Sequence, residues 1–292
     1  MLNGLWYGPE KAKTVFVYIH GLGGSLFSQT ELCQSLTSHD TAVLVFNNRG
    51  SGVVSRIKRV SKKGKKGYDS HTIGMAHEVF SDCVDDIDGA IELALDKGAK
   101  NIFLVGHSTG CQKSVYYLSQ IAKKKKPKPK LGLKLKVKGA ILLAPMSDYA
   151  DFAAFTDNKK RKVVTSFAKK MIKNGKAHDL LPKHIWPYPI DSQRFLSLFT
   201  PESTEEIFSY AVPDKSPKIL MSVKTPMKVI FAGDDEYKDR PMEEIAAWFK
   251  KTLADRPAEI EIIDGAPHNF KGYETRLKTM IEAWKDGLLK NH

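Results

Sequence analysis

Between residues 101 and 121 the chain reads as a short apolar strand, a turn bracketed by glycines, and a helix. Asn101-Ile102-Phe103-Leu104-Val105 has strand character, Gly106-His107-Ser108-Thr109-Gly110 follows, and from Thr109 to Ile121 apolar positions recur at helical spacing. With no side chains at Gly106 and Gly110, such a turn folds tightly enough to push the Ser108 hydroxyl out over the end of a sheet. The five-residue pattern alone arises by chance in about one chain in ten of this length. Its meaning therefore rests on the rest of the sequence.

Strand-like and helix-like segments alternate through the first half. Thr14 to Ile19, Ala42 to Phe46 and Val137 to Leu143 are strand candidates, with helices expected over Gln29 to Leu36 and Met75 to Leu95. Near-continuous apolar strands in this order predict an α/β fold: a mostly parallel central sheet flanked by helices on both faces. The alternation lapses from Pro145 to about Thr225, which holds a helical piece at Lys162 to Lys173 and aromatics that include Phe152, Phe155, Trp186, Tyr188, Phe195, Phe199, Phe208 and Tyr210. It resumes with strands at Met227 to Phe231 and Glu259 to Ile263 and helices at Pro241 to Leu253 and Tyr273 to Leu289. The expected organisation is a core of residues 1–144 and 226–292 with a cap inserted at 145–225.

A length of 292 residues suffices for a sizeable core. The first residues lack the basic and apolar regions of a signal peptide, and no apolar run reaches the roughly 18 residues of a membrane span, so the expectation is a cytoplasmic protein. Cys33, Cys83 and Cys111 have no metal-ligand spacing and suit buried thiols in a reducing compartment. No cofactor or metal is called for. The net charge of +13 gathers at Arg56 to Lys66 and in a low-complexity segment from Lys123 to Lys138. No aromatic residues interleave with that lysine run to stack on bases, and Pro127 and Pro129 interrupt it, so nucleic acid is not the expected partner.

A serine hydroxyl attacks only when a base takes its proton, and the base needs an acid to orient it. His268 lies in Gly265-Ala266-Pro267-His268, after the last strand, and Gly233-Asp234-Asp235-Glu236 follows the strand ending at Phe231. Loops that follow strands of a parallel sheet emerge at one edge, which brings both to the Ser108 turn. At most one of Asp234, Asp235 and Glu236 can serve as the acid. Upstream, His20-Gly21-Leu22-Gly23-Gly24 is a glycine-rich loop whose Leu22 N–H, with the Thr109 N–H, can face a developing oxyanion. His20 and His107 are read as structural, orienting the loop and the turn.

His20 to Gly24, Gly106 to Gln112 and Gly265 to His268 resemble the α/β-hydrolase superfamily, and Phe46-Asn47-Asn48-Arg49-Gly50 with the His-Ser-Thr-Gly-Cys turn resembles the DUF1749-type hydrolases, a group that includes fungal siderophore esterases. The resemblance implies an eight-stranded sheet, a Ser-Asp-His triad, no cofactor, and a cap after the sixth strand. Family members often carry Gly-x-Asp-Glu-Tyr followed by Val-Pro, which aligns with Gly233 to Tyr237 and points to Asp235 as the acid. Lys238-Asp239-Arg240-Pro241 departs from that pattern and keeps Asp234 as the alternative, with Asp148 more distant.

The expected function is hydrolysis of a carboxylic ester by Ser108, His268 and Asp235, with Leu22 and Thr109 as the oxyanion hole and a small-molecule acyl or aryl ester as substrate. Thioesterase, lactonase, amidase or C–C hydrolase activity, or a ligand receptor that retains the triad, are the alternatives. The lysine run is expected at the sheet edge remote from Ser108. Arg56 to Lys66 is expected on the near edge, either as a solvated loop or as a rim favouring anionic substrates.

Overall fold

The computed structural model describes residues 2–64, 66–123 and 137–290. In chain order the first elements are β1 (Gly4–Tyr7), β2 (Thr14–Ile19), α1 (Thr30–Ser35), β3 (Thr41–Phe46), β4 (Ser55–Val60), β5 (Tyr68–Ile73), α2 (Cys83–Asp96), β6 (Asn101–His107), α3 (Thr109–Lys123) and β7 (Val137–Leu143). They are followed by α4 (Asp148–Phe155), α5 (Asn158–Lys173), α6 (Ser192–Phe199), α7 (Lys218–Ser222), β8 (Met227–Ala232), α8 (Met242–Thr252), β9 (Ala258–Ile263) and α9 (Glu274–Lys290).

Seven strands form the main sheet in the order β1-β3-β2-β6-β7-β8-β9, with β1 antiparallel to β3 and every other pairing parallel. The central strands are apolar on both faces because helices cover both. Val15, Val17 and Ile19 of β2 enter one core with residues of α2, α3 and α8, while Phe16 and Tyr18 enter the opposite core with residues of α1 and α9. Strand periodicity thus divides the five consecutive apolar residues Val15 to Ile19 between two cores.

Several expectations need correction. The described sheet has seven strands, so β7, which precedes the long helical segment, is its fifth strand rather than the sixth of eight. Beyond β1 the flank is faced by the β4–β5 hairpin, and the two border a crevice of about 380 Å³. That hairpin is antiparallel and separate from the main sheet, and it carries most of the basic cluster from Arg56 onward. One face, from Arg56, Lys58 and Val60 to Tyr68, Ser70 and Thr72, is exposed throughout, and the other is covered only in part and carries just two apolar residues, Ile57 and Ile73, so the apolar alternation that betrays a half-buried strand is weak. The helix expected from Met75 begins only at Cys83, after a single 3₁₀ turn at Phe80–Asp82. The stretch before it is a turn, with His77 N–H donating to Gly74 O, and its backbone is tied outward: Ala76 N–H donates to Val53 O, and Asp191 N–H donates to Ala76 O. The lysine run falls largely on residues 124–136, outside the described residues.

Helices α4 to α7 occupy the interval between β7 and β8, and Phe152, Val164, Phe195 and Leu198 form a third apolar cluster there. Trp186 and Phe199 join it, with Phe152 at the centre of three ring contacts between 4.9 and 5.8 Å. A buried chain of charges fastens this interval to the sheet. Arg194 of α6 contacts Glu205 at 2.5 Å and Glu78 at 2.9 Å, and Glu78 also contacts Lys113 of α3 at 2.6 Å. Burial works to raise the Glu78 pKa, but Lys113 and Arg194 more than offset it and hold the carboxyl below its ordinary value. Such pairs add little net stability over apolar packing, whereas loss of one member leaves an uncompensated buried charge.

Candidate active site

Ser108 is the hinge residue between β6 and α3, and its φ is +54°, in the left-handed region that a side chain occupies only under strain. The neighbouring glycines explain how the turn closes. A Cβ on Gly106 would lie 2.4 Å from Gly110 O, and one on Gly110 would lie 2.1 Å from Ile19 O. No side chain fits at either position. Ser108 N–H donates to Leu143 O at 3.0 Å, and the buried Cys111 thiol donates to Gly106 O at 3.2 Å, so the strained turn is pinned from β7 and from within.

The loop after β9 carries His268, and the loop after β8 carries the acids. The His268 Nδ1 to Asp235 Oδ2 distance is 2.6 Å, and Asp235 is 1 % exposed. Its other oxygen, Oδ1, accepts the Tyr237 N–H at 3.0 Å. Asp234 is exposed and meets the His268 loop through its backbone, N–H to Ala266 O at 2.9 Å. Of the adjacent carboxylates, Asp235 is therefore the one bonded to the His268 ring. Two further contacts hold that histidine: its N–H donates to Glu236 Oε2 at 3.0 Å, and its carbonyl accepts from His107 Nε2 at 2.8 Å. The Tyr237 ring stands edge-on to it, 4.8 Å between centroids. Glu236 and Tyr237 were legible only as neighbours of the acids, since nothing in the sequence signals which backbone amide a loop carboxylate will reach.

His20 organises the glycine-rich loop. Its Nδ1–H donates to Gly21 O at 2.8 Å, and its Nε2 accepts the Asn48 N–H at 3.2 Å, which fixes a neutral ring with the proton on Nδ1. Burial, reinforced by Lys113, pushes its pKa down to about 4. Burial and the nearby His268 push His107 down to about 4 as well. A folded pKa below the unfolded value of about 6.5 means that His20 stabilises the fold above that pH and loses the contribution as pH falls towards 4. His20→Gln keeps a donor and an acceptor but cannot titrate. In urea unfolding, the stability difference between wild type and this variant should move in the variant's favour by about 2 kcal/mol from pH 7.5 to pH 5. A pH-independent difference would refute the neutral buried ring.

Gly21 passes so close to the turn that a Cβ there would lie 2.8 Å from Ser108 Cβ. The loop, the turn and the histidine meet at a cavity of about 680 Å³, whose lining includes Gly21, Leu22, Ser108, Tyr237 and His268. Thr109 lies just behind it, buried at the start of α3. Among the described residues, neither Leu22 N–H nor Thr109 N–H donates to a protein acceptor. The far wall comes from the start of the helical interval: Met146, Ser147, Asp148 and Asp151. Asp148 accepts from Gln112 Nε2 at 3.2 Å rather than pairing with His268, and burial pushes its carboxyl well above the ordinary range. No described residue of the Arg56 to Lys66 cluster lines the cavity; acidic Glu31, Asp148, Asp151 and Glu274 outnumber Lys271 there. Among the described residues no group of histidines, cysteines and carboxylates is arranged to hold a metal ion.

A family model described as protein of unknown function, DUF1749, matches residues 65–286. The chain belongs to the DUF1749 family. A curated relative, "Putative esterase/lipase 2" from Mycoplasma genitalium, is 27 % identical over 161 residues, 55 % of this chain and 47 % of the relative. The match thus spans about half the length of that relative. Among solved structures, the siderophore hydrolase EstB from Aspergillus fumigatus superposes with a TM-score of 0.64 at 21 % identity, covering 96 % of this chain and 92 % of its own. Est1E from Butyrivibrio proteoclasticus, solved with ferulic acid bound, gives 0.60 at 14 % identity over 99 % and 96 %. With its mostly parallel sheet and flanking helices, this DUF1749 chain has the α/β-hydrolase fold.

Proposed function

We propose that this protein is a serine hydrolase of carboxylic esters, with Ser108 as nucleophile, His268 as base and Asp235 as the acid that orients it. The observation that carries the reading is the 2.6 Å contact of His268 Nδ1 with buried Asp235, beside a cavity that Ser108 enters on a left-handed turn. With the Nδ1 proton directed to Asp235, Nε2 is left to accept the Ser108 proton as Oγ attacks the ester carbonyl. Leu22 and Thr109 N–H groups would receive the oxyanion; one such donor contributes about 3 kcal/mol in the transition state. His268 then protonates the departing alcohol, and water enters by the same route to release the acid from the acyl-enzyme. The esterase-like names of the partial relative and of the structural neighbours agree with this chemistry.

Residues 145–225 act in this reading as the cap over a core of 1–144 and 226–292, since Met146 to Asp151 furnish the cavity wall facing Ser108. The test is turnover of p-nitrophenyl and aryl esters of graded chain length. Multiple turnovers on at least one series are expected, with KM tracking acyl length if the cavity takes the acyl group. Stoichiometric release without turnover across the panel would refute the enzyme and favour a ligand receptor.

A further inference from the structure

Helix α5 carries Lys159, Lys160, Arg161, Lys162, Lys169, Lys170 and Lys173 and no acidic residue within its bounds. Its inner face is ordinary, with Val164 and Ala168 buried in the cluster under Phe152 and Phe195. The outer face is not. Lys159, Lys162, Val163, Ser166, Lys169, Lys170 and Lys173 are all exposed and recur at spacings of three and four, so they form one stripe along the helix. At 1.5 Å per residue the stripe is about 21 Å long. Among the described residues none of its lysines has a carboxylate partner; Lys160, beside the stripe, lies over the Trp186 ring at 5.4 Å. Asp157 is occupied with capping the helix, accepting the Lys160 N–H at 3.1 Å. Like charges three and four apart repel along a helix, so this face gains from a negative counter-surface.

Apolar side chains accompany the charges. Val163 within the stripe is 51 % exposed, Ile172 beside it 37 %, and Phe155, four residues before Lys159, 67 %. Lysines with scattered aliphatic and aromatic groups on a convex helix match the interface of a bilayer, where ammonium groups meet lipid phosphates and apolar tips reach the acyl boundary. Nucleic acid fits this face less well, because stacking needs aromatic side chains along the track and one phenylalanine stands at its end. The β4–β5 hairpin, though also basic, is partly neutralised: Arg59 pairs with Asp69 at 3.0 Å, and Lys58 lies over Tyr68.

We propose that α5 docks this protein peripherally on an anionic phospholipid surface, independently of the Ser108 chemistry. No helix of the described residues is long and apolar enough to cross a membrane, so the contact is one of surface adsorption.

The test is co-sedimentation of the full chain with phosphatidylcholine vesicles, with and without phosphatidylserine, at ~0.1 M salt. Phosphatidylserine-dependent binding is expected for wild type and equally for Ser108→Ala. Each basic residue near such a surface multiplies partitioning by roughly fivefold. Lys162→Glu with Lys169→Glu and Lys173→Glu should therefore lower it by at least about 100-fold, and the milder triple glutamine variant should fall between. Arg56→Glu with Lys62→Glu and Lys63→Glu changes net charge equally and should lower it less than about fivefold. Absence of phosphatidylserine dependence in wild type, equal losses in the two glutamate triples, or tighter α5-dependent binding to single-stranded RNA than to vesicles would each overturn the proposal.

Discussion

Ser108→Ala is expected to lower turnover of the best p-nitrophenyl ester by roughly 10⁴- to 10⁶-fold while leaving the unfolding transition in place. The size follows from the role. Without Oγ no acyl-enzyme forms, and what remains is whatever the oxyanion donors and the cavity give to direct attack by water. Stability should be preserved because no described hydrogen bond depends on the Ser108 hydroxyl. Alanine is also small enough for the left-handed turn, and its Cβ takes the same place beside Gly21. Ser108→Cys would separate loss of the nucleophile from damage to the turn, because a thiol there can still be acylated. Unchanged turnover in Ser108→Ala would place the chemistry elsewhere.

The second large effect distinguishes two adjacent carboxylates. Asp235→Asn should lower turnover by about 10³- to 10⁴-fold, since an amide at 2.6 Å from His268 Nδ1 can turn its NH₂ to the ring and hold the wrong tautomer. Asp234→Asn should change it less than about threefold, because that side chain is exposed and the loop is tied through the Asp234 backbone. KM should change little in either variant, as neither side chain lines the cavity. Equal effects would mean that the loop after β8 acts through its conformation. A larger effect at Asp234 would move the acid by one residue.

The fold was legible where burial forces a pattern. Apolar runs marked β2, β3, β6, β7 and β8 because each is covered on both faces, and β9, at the edge, showed itself by alternation of Glu259 and Glu261 with isoleucines. Elements without such cover were silent: the four residues of β1 lie on an edge, and the β4–β5 hairpin is solvated, so composition there signalled only charge. The late start of α2 was hidden for another reason, since Met75 to Val79 has helical apolar spacing yet Met75 to His77 is held in a turn whose backbone bonds to Gly52 and Val53, more than twenty residues away in sequence. Of the candidate site, Ser108 and His268 were legible from order and loop position, which narrowed the acid to Asp234, Asp235 or Glu236, and only the family resemblance chose Asp235 among them. Glu236 on the His268 amide, the His20 tautomer and the acidic cavity wall were not, because each depends on where a loop places one side chain. Likewise, the charges joining Glu78, Lys113, Arg194 and Glu205 lie far apart in sequence, and only folding makes them a chain.

The most direct measurement is intact-mass and peptide mapping of the protein after reaction with a fluorophosphonate. One adduct per chain is expected, on the peptide containing Ser108, formed with wild type and about 10³-fold more slowly with Asp235→Asn. An adduct on any other residue, or none while ester turnover proceeds, would contradict it.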